Sequence, residues 1–227
     1  MTYPLVSCIV IVKNGERYLA SALQSILDQD YRPIEMIVVD GQSSDRTVEI
    51  ARSYPEVQFI VQKRPGSAEA YNLGIQTASG EFVAFLSHDD LWTSDKLTTQ
   101  VTYMMQNPEL QYTISRTEFF LEEGCPVPAR FKVNLLQGDH VLYGMETLVA
   151  RKHLFEQIGG LSPEFHFAND TDWFKRARDL KVKMAIIQKV LLRKRIHESN
   201  TTIYCSELTT ELLHIARRSL SRQKQYE

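Results

Sequence analysis

The sequence predicts an α/β fold: a mostly parallel central sheet with helices on both faces, followed by a smaller and less regular second half. Three observations carry the prediction. Short apolar runs rich in β-branched residues alternate with segments of helical periodicity through the first hundred positions. That alternation is the mark of successive strand-helix-strand units and a parallel sheet. Polar residues gather directly after the runs, at Asn14, Asp40 and Asp89-Asp90, and in such a sheet ligands bind beyond the carboxyl ends of the strands.

Taken in order, Leu5 to Val12 reads as a buried strand, ended by Asn14-Gly15. Tyr18, Leu19, Ala22, Leu23, Ile26 and Leu27 then recur at helical spacing. Ile34 to Val39 is a second strand, and Ser43 or Ser44 caps a helix carrying Val48, Ile50 and Ala51. Val57 to Val61 is a third strand. A helix from Gly66-Ser67 to Ala78 and a fourth strand, Phe82 to Leu86, complete the first half. In the second half, Ser94 to Met105 reads as a helix and Tyr112 to Leu121 as an extended strand. Glu122 to Asp139, with its prolines and glycines, reads as a long loop of the kind that covers a site. A short strand at Thr147 to Ala150 and helices at Arg151 to Gln157 and Asn169 to Asp179 follow. Met184 to Ile187 and Val190 to Ile196 read as two strands. Glu207 to Ser221 gives a terminal helix with Leu208, Leu212, Ile215, Ala216 and Leu220 on one face.

At 227 residues, 43% hydrophobic and 24% charged, the chain suits one domain over 1–227. It divides into a first half over 1–105, a second half over 106–204 and a C-terminal helix over 205–227. A net charge of −2 argues against a nucleic-acid binder. Cys8, Cys125 and Cys205 are far apart and form no CxxC pair, which points to a reducing compartment. The apolar run near the N-terminus is too short for a signal peptide core or a membrane span. The protein is therefore expected to be soluble and cytoplasmic. Arg217, Arg218, Arg222 and Lys224 make the C-terminus locally basic. Two readings stand for that helix: a solvated face closing the domain, or a peripheral contact with the inner face of an anionic membrane.

Asp89-Asp90 is the centre of the chemical reading. Two adjacent carboxylates at a strand end repel each other unless a cation compensates. A hard divalent ion that also takes substrate phosphates is the natural partner. The alternative, one acid capping the next helix and the other solvated, stays open for the bare pair.

The segment VSCIVIVKNGERYL resembles the opening block of family 2 glycosyltransferases. EMIVVDGQSSDRTVEIA is similar to their second block, VVDDGSSDGT, and GSAEAYNLGIQTASGEFVAFLSHDDLW to the third, which runs from G-x-x-x-A-R-N-x-G-I to F-L-D-x-D-D. GMETLVARKHLFEQIGGLSPEF, NDTDWFKRA and RKRIHESNTT resemble the later blocks, in the family's order. The resemblance implies a GT-A fold of the non-processive bacterial type. It implies an inverting, metal-dependent transfer of a hexosyl-like group from a nucleotide-sugar, with uridine diphosphate as the family-level nucleotide. The acceptor hydroxyl would belong to a lipid-linked glycan, another saccharide or a different molecule, as in polysaccharide or glycolipid synthesis. Asp170 is then the general base. Asp90 and His197 are the expected ligands of the divalent ion, manganese or magnesium. Val12, Asn14, Asp40, Gly41, Asn72, Asp89 and Asp172 are the expected substrate-binding positions, with Asp40 meeting the uracil or ribose.

The chain departs from the family pattern at several of these places. Gly41 stands where many members have a second acid, Tyr71 where they have an arginine, Ser87 at the first acid of D-x-D-D, and Asn169 at a glutamate. The departures at Tyr71 and Ser87 motivate an alternative reading, a nucleotide-sugar-binding module without catalysis. A nucleotidyltransferase is a third reading, though KNGERY makes a poor phosphate loop. Trp92 and Trp173 read as core or wall residues, and His197 could equally be a satisfied histidine.

Overall fold

Each of the four apolar runs of the first half forms a strand: β1 (Val6–Val12), β2 (Ile34–Asp40), β3 (Val57–Val61) and β4 (Phe82–Ser87). The structure, a computed structural model, describes residues 3–200 and 208–223. Thr201, Thr202, Cys205 and Lys224, all invoked above, lie outside the described residues. The four strands are parallel in the order β3-β2-β1-β4. Helices α1 (Leu19–Leu27), α2 (Thr47–Arg52) and α3 (Ser67–Thr77) connect them.

Strand alternation explains why the runs are apolar throughout. Cys8, Val10 and Val12 pack with Leu19, Leu23 and Ile26 of α1 on one face. Ile9 packs with Ala70, Tyr71 and Ile75 of α3 on the other. Helix α3 lies so close to β1 that a Cβ at Gly74 would stand 2.4 Å from Ile9 Cγ2. Register then brings the strand ends to one edge: Val12 is level with Asp40, and Ile11 with Ser87.

The second half continues the same sheet. Strand β5 (Leu91–Trp92) leads into α4 (Lys96–Gln106), β6 (Tyr112–Leu121), β7 (Asp139–Val141) and β8 (Leu148–Arg151). Helices α5 (Leu154–Ile158) and α6 (Asn169–Asp179), strand β9 (Met184–Ile196) and helix α7 (Leu208–Gln223) complete the chain. Strand β8 joins β4 antiparallel, and the order runs on as β4-β8-β6-β9-β5, with β7 paired to β6.

Three expectations change. The two strands expected at 184–187 and 190–196 are one, because Gln188 and Lys189 form a bulge: the pairing with β6 jumps from Ser115↔Ile187 to Arg116↔Val190. The loop 122–139 contains a 3-10 turn at Val133–Leu136 and the start of β7, and it contributes no residue to the cavity described below. The apolar stripe of α7 is mostly not buried. Ile215 is buried against Phe165 and Ala168, whereas Leu212 and Leu220 are exposed. Polar contacts hold this helix instead: Arg218 pairs with Glu164, and Asp179 accepts from Ser219 Oγ at 2.8 Å and Arg222 Nε at 2.9 Å. Among the described residues no helix is long and apolar enough to cross a membrane.

Candidate active site

The edge where β1, β2 and β4 end opens into a cavity of about 530 Å³. Val12 and Gly41 line it from the first two strands, Ser87 to Asp89 from β4, and Lys194 and Asn200 from the end of β9 and beyond. Helices α3 and α6 point their N-termini at it: Ser67 and Asn169 both line the cavity, and Asn169 Nδ2 donates to Ser67 Oγ at 2.8 Å. The N-terminal end of a helix favours an anion, and two such ends meet at this cavity.

The adjacent acids part company. Asp89 faces the cavity, with Oδ2 3.1 Å from His197 Nε2 and 3.5 Å from Asn200 Nδ2. Burial alone would raise its carboxyl, but the His197 hydrogen bond and the neighbouring His88 and Lys194 outweigh it and hold it well below the usual range. Asp90 turns inward and is 1% exposed. Its Oδ2 accepts from Lys194 Nζ at 2.7 Å and its Oδ1 from the Arg195 N–H at 3.0 Å. Burial pushes the Asp90 carboxyl up against the pull of Lys194. Lys194 is itself lowered by burial but raised further by Asp90 and Glu146. His197 therefore meets Asp89, where Asp90 was expected.

Asp170 lines the cavity in the first turn of α6. Burial, then the charge of Glu146, pushes its carboxyl from 3.8 up to about 7, against the Thr171 N–H that donates to Oδ1 at 2.6 Å. Glu146 sits between the two acidic centres and escaped the sequence reading, as did Lys194. Ser87 Oγ donates to Glu146 Oε1 at 2.6 Å. Glu146 carries no strand-end or helix-start signature; it lies in the 3-10 turn Met145–Thr147, inside a block read only for its order.

The remaining expected positions divide. Asp40 is buried at the end of β2; its Oδ2 accepts from the Ser43 N–H at 3.0 Å, and its Oδ1 has no partner among the described residues. Gln62 Oε1, which belongs to the cavity lining, is likewise buried and unpartnered. Asn14 ties loops together, accepting from the Ser44 N–H at 2.9 Å, and is not in the lining. Asn72 is also turned away from the cavity: its amide both donates to the Leu161 carbonyl and accepts from the Leu161 N–H, each at 2.8 Å. Asp172 is 2% exposed and accepts from Arg176 Nε at 2.8 Å, while Arg176 binds the carbonyls of Ile158 and Gly160. Its expected contact with substrate gives way to this brace. Trp92 and Trp173 are both buried. Tyr71 lines the cavity as a neutral hydroxyl, its phenol raised far above its ordinary value by burial, then by Glu146 and Asp170.

Among the described residues no three His, Cys, Asp or Glu side chains come together as a metal cage. Asp89 nevertheless presents a carboxylate to the cavity, with the buried His197 imidazole directly behind it, its Nε2 3.1 Å from Asp89 Oδ2 and its Nδ1 2.9 Å from Ser199 Oγ. That donor set suits a divalent ion completing its shell with water and phosphate oxygens.

A family model, Glycosyl transferase family 2, matches residues 7–171. An uncharacterized glycosyltransferase of Rickettsia typhi is 32% identical over 88% of this chain, which spans 66% of that protein. Two solved structures share the fold. Staphylococcus aureus TarS 1-349 in complex with UDP-GlcNAc superposes with a TM-score of 0.76 at 20% identity, covering 96% of this chain and 66% of that one. The mannosyltransferase PcManGT of Pyrobaculum calidifontis, in complex with GDP-Man and Mn2+, gives 0.75 at 20% identity over 97% and 65%. This chain thus spans about two thirds of the proteins it is matched with here. The fold is GT-A.

Proposed function

This chain belongs to glycosyl transferase family 2, and on that premise we propose that it moves a sugar from a nucleoside diphosphate donor to an acceptor hydroxyl, with inversion and with Asp170 as the base. The observation that carries the reading is the cavity itself, which sets an anion-attracting end and a carboxylate poised near neutrality in one space. The groups in and beside the cavity match the parts of a donor such as a UDP-sugar. The unpartnered acceptors Asp40 Oδ1 and Gln62 Oε1 suit the N–H and hydroxyl donors of a base and ribose. The N-termini of α3 and α6 suit the diphosphate. Asp89 and His197 would hold a divalent ion; when bound, it supplies positive charge to the departing diphosphate. Asp170 then takes the acceptor proton as its oxygen attacks the anomeric carbon, and a carboxylate near pH 7 is well matched to that work.

The alternative of a binding module without catalysis was motivated by Ser87 and Tyr71. The raised Asp170 favours the enzyme, because a module that only binds has no use for a half-buried acid held near neutrality at this place. The test is a thermal-shift panel of UDP, dTDP, GDP, ADP and CDP with and without manganese. One diphosphate is expected to stabilise the protein by about 2.7 kcal/mol at 100 times its dissociation constant, only with metal, and not in Asp89→Ala. Absence of a shift with every nucleotide would sink the proposal.

A further inference from the structure

We propose that Glu146 reads the sugar being transferred, accepting hydrogen bonds from a neutral hexosyl group and excluding donors whose sugar carries a carboxylate. The inference rests on the glycosyl-transfer reading above. Glu146 is held at two points. Its Oε1 takes the Ser87 hydroxyl at 2.6 Å and faces Lys194 Nζ at 3.8 Å, and its backbone carbonyl takes the buried Trp92 indole N–H at 3.3 Å.

Its other oxygen has no hydrogen-bond partner among the described residues. A Cβ at Gly144 would lie 3.0 Å from Glu146 Oε2 and 3.8 Å from Asp170 Oδ2. The two carboxylates therefore converge on one space, and the missing side chain at 144 keeps it clear. A group that reaches from the Asp89 end of the cavity to Asp170 passes Glu146, because Glu146 touches Ser87 and Lys194 with one oxygen and shares the space at Gly144 with Asp170 through the other. The passing group is the sugar, and its hydroxyls are the donors that Oε2 lacks.

Charge then sets the class of sugar. Asp89, Glu146 and Asp170 face the cavity, and Asp90 lies directly behind it. Lys194 is already engaged with Asp90 at 2.7 Å. Lys13, also in the lining, stands against Gly41 at the β2 end. Among the described residues that line the cavity these two are the lysines and there is no arginine, so a sugar carboxylate would meet Glu146 and Asp170 beside a lysine already paired, and unpaired like charge is how a site rejects a ligand. Ser87 belongs to the same device: the serine at this position donates to Glu146, where an aspartate would repel it.

The experiment is calorimetric titration, with manganese, of UDP, UDP-glucose and UDP-glucuronate into the full chain and into Glu146→Gln and Gly144→Ala. The full chain should bind UDP-glucose more than about tenfold tighter than UDP-glucuronate. Glu146→Gln should narrow that ratio to about threefold or less by removing the repelling charge. Gly144→Ala keeps the charge and fills the space, so both sugars should weaken together while the ratio and UDP binding persist. Equal binding of the two sugars by the full chain, or a ratio that Glu146→Gln leaves unchanged while it still binds UDP and melts normally, would overturn the assignment. Should Glu146→Gln not fold, Gly144→Ala decides: unchanged sugar affinity in it overturns the assignment too. A full chain that binds none of the five nucleoside diphosphates removes the transfer reading and this inference with it; one that binds another of them in place of UDP is titrated with the glucose and glucuronate forms of that nucleotide, and the same ratios decide.

Discussion

Asp170 shows a residue whose chemistry and stability pull in opposite directions. Its carboxyl is pushed up to about 7 in the folded chain, from an ordinary value of 3.8. Between those values the folded state holds a proton that the unfolded state has lost, so this group's contribution makes stability fall as pH rises from about 4 to about 7. Above pH 7 the penalty is complete. Asp170→Asn removes it, and should gain on the order of 1–3 kcal/mol relative to the parent at pH 8 while gaining nothing near pH 4. Melting curves at the two pH values check this. The same variant should lose transfer by about a hundredfold or more, and kcat/KM of the parent should rise with pH through about 7. A parent whose activity is flat from pH 5 to 9 would refute the role of Asp170 as base.

At the scale of the element, α7 acts on the site without touching it. Glu211 accepts the backbone N–H groups of His166, Phe167 and Ala168 at 2.9, 3.0 and 2.9 Å. His166 and Phe167 line the cavity, and Ala168 is the N-cap of α6, two residues before Asp170. A carboxylate here also complements the positive end of α6. Glu211→Ala leaves three N–H groups without their acceptor and should cost about 2 kcal/mol. Hydrogen exchange should quicken at amides 166–168 first. Unchanged exchange there would mean that the loop is held by packing alone.

For the whole molecule, the joining of β8 to β4 makes a single sheet of the two halves. Cores lie on both faces of that sheet, and each draws residues from both halves: Val149 packs with Val10, and Tyr112 belongs with Ile9. The two halves should therefore unfold together, as one calorimetric transition whose measured and van't Hoff enthalpies agree. Two resolved transitions would show that the halves are independent. Much of this was legible in advance. Buried strands write their own continuous apolar runs, and β6 and α6 stand where the sequence puts them. What was not legible depends on direction. A run of letters shows that Asp89 and Asp90 adjoin, and gives no account of which one faces the cavity. It marks Asn72 and Asp172 as polar beside a site, although the partners that claim them, Leu161 and Arg176, are set by tertiary packing. Glu146 and Lys194 gain meaning only when the 3-10 turn and the end of β9 are brought to the cavity by the sheet.

The turn from Ser87 to Asp90 also sets a rule for how this chain can diverge. Neighbouring side chains there turn opposite ways: Asp89 lines the cavity and leans on the buried His197, and Asp90 turns inward to the Arg195 backbone and to Lys194. Adding or deleting one residue between β4 and Asp89 would exchange the two, placing the braced acid in the cavity and the cavity acid in the brace. Among descendants of this sequence, length changes should therefore collect in 122–139, which adds nothing to the cavity lining, and be purged from 87–90, where even a substitution that preserves charge leaves the spacing intact.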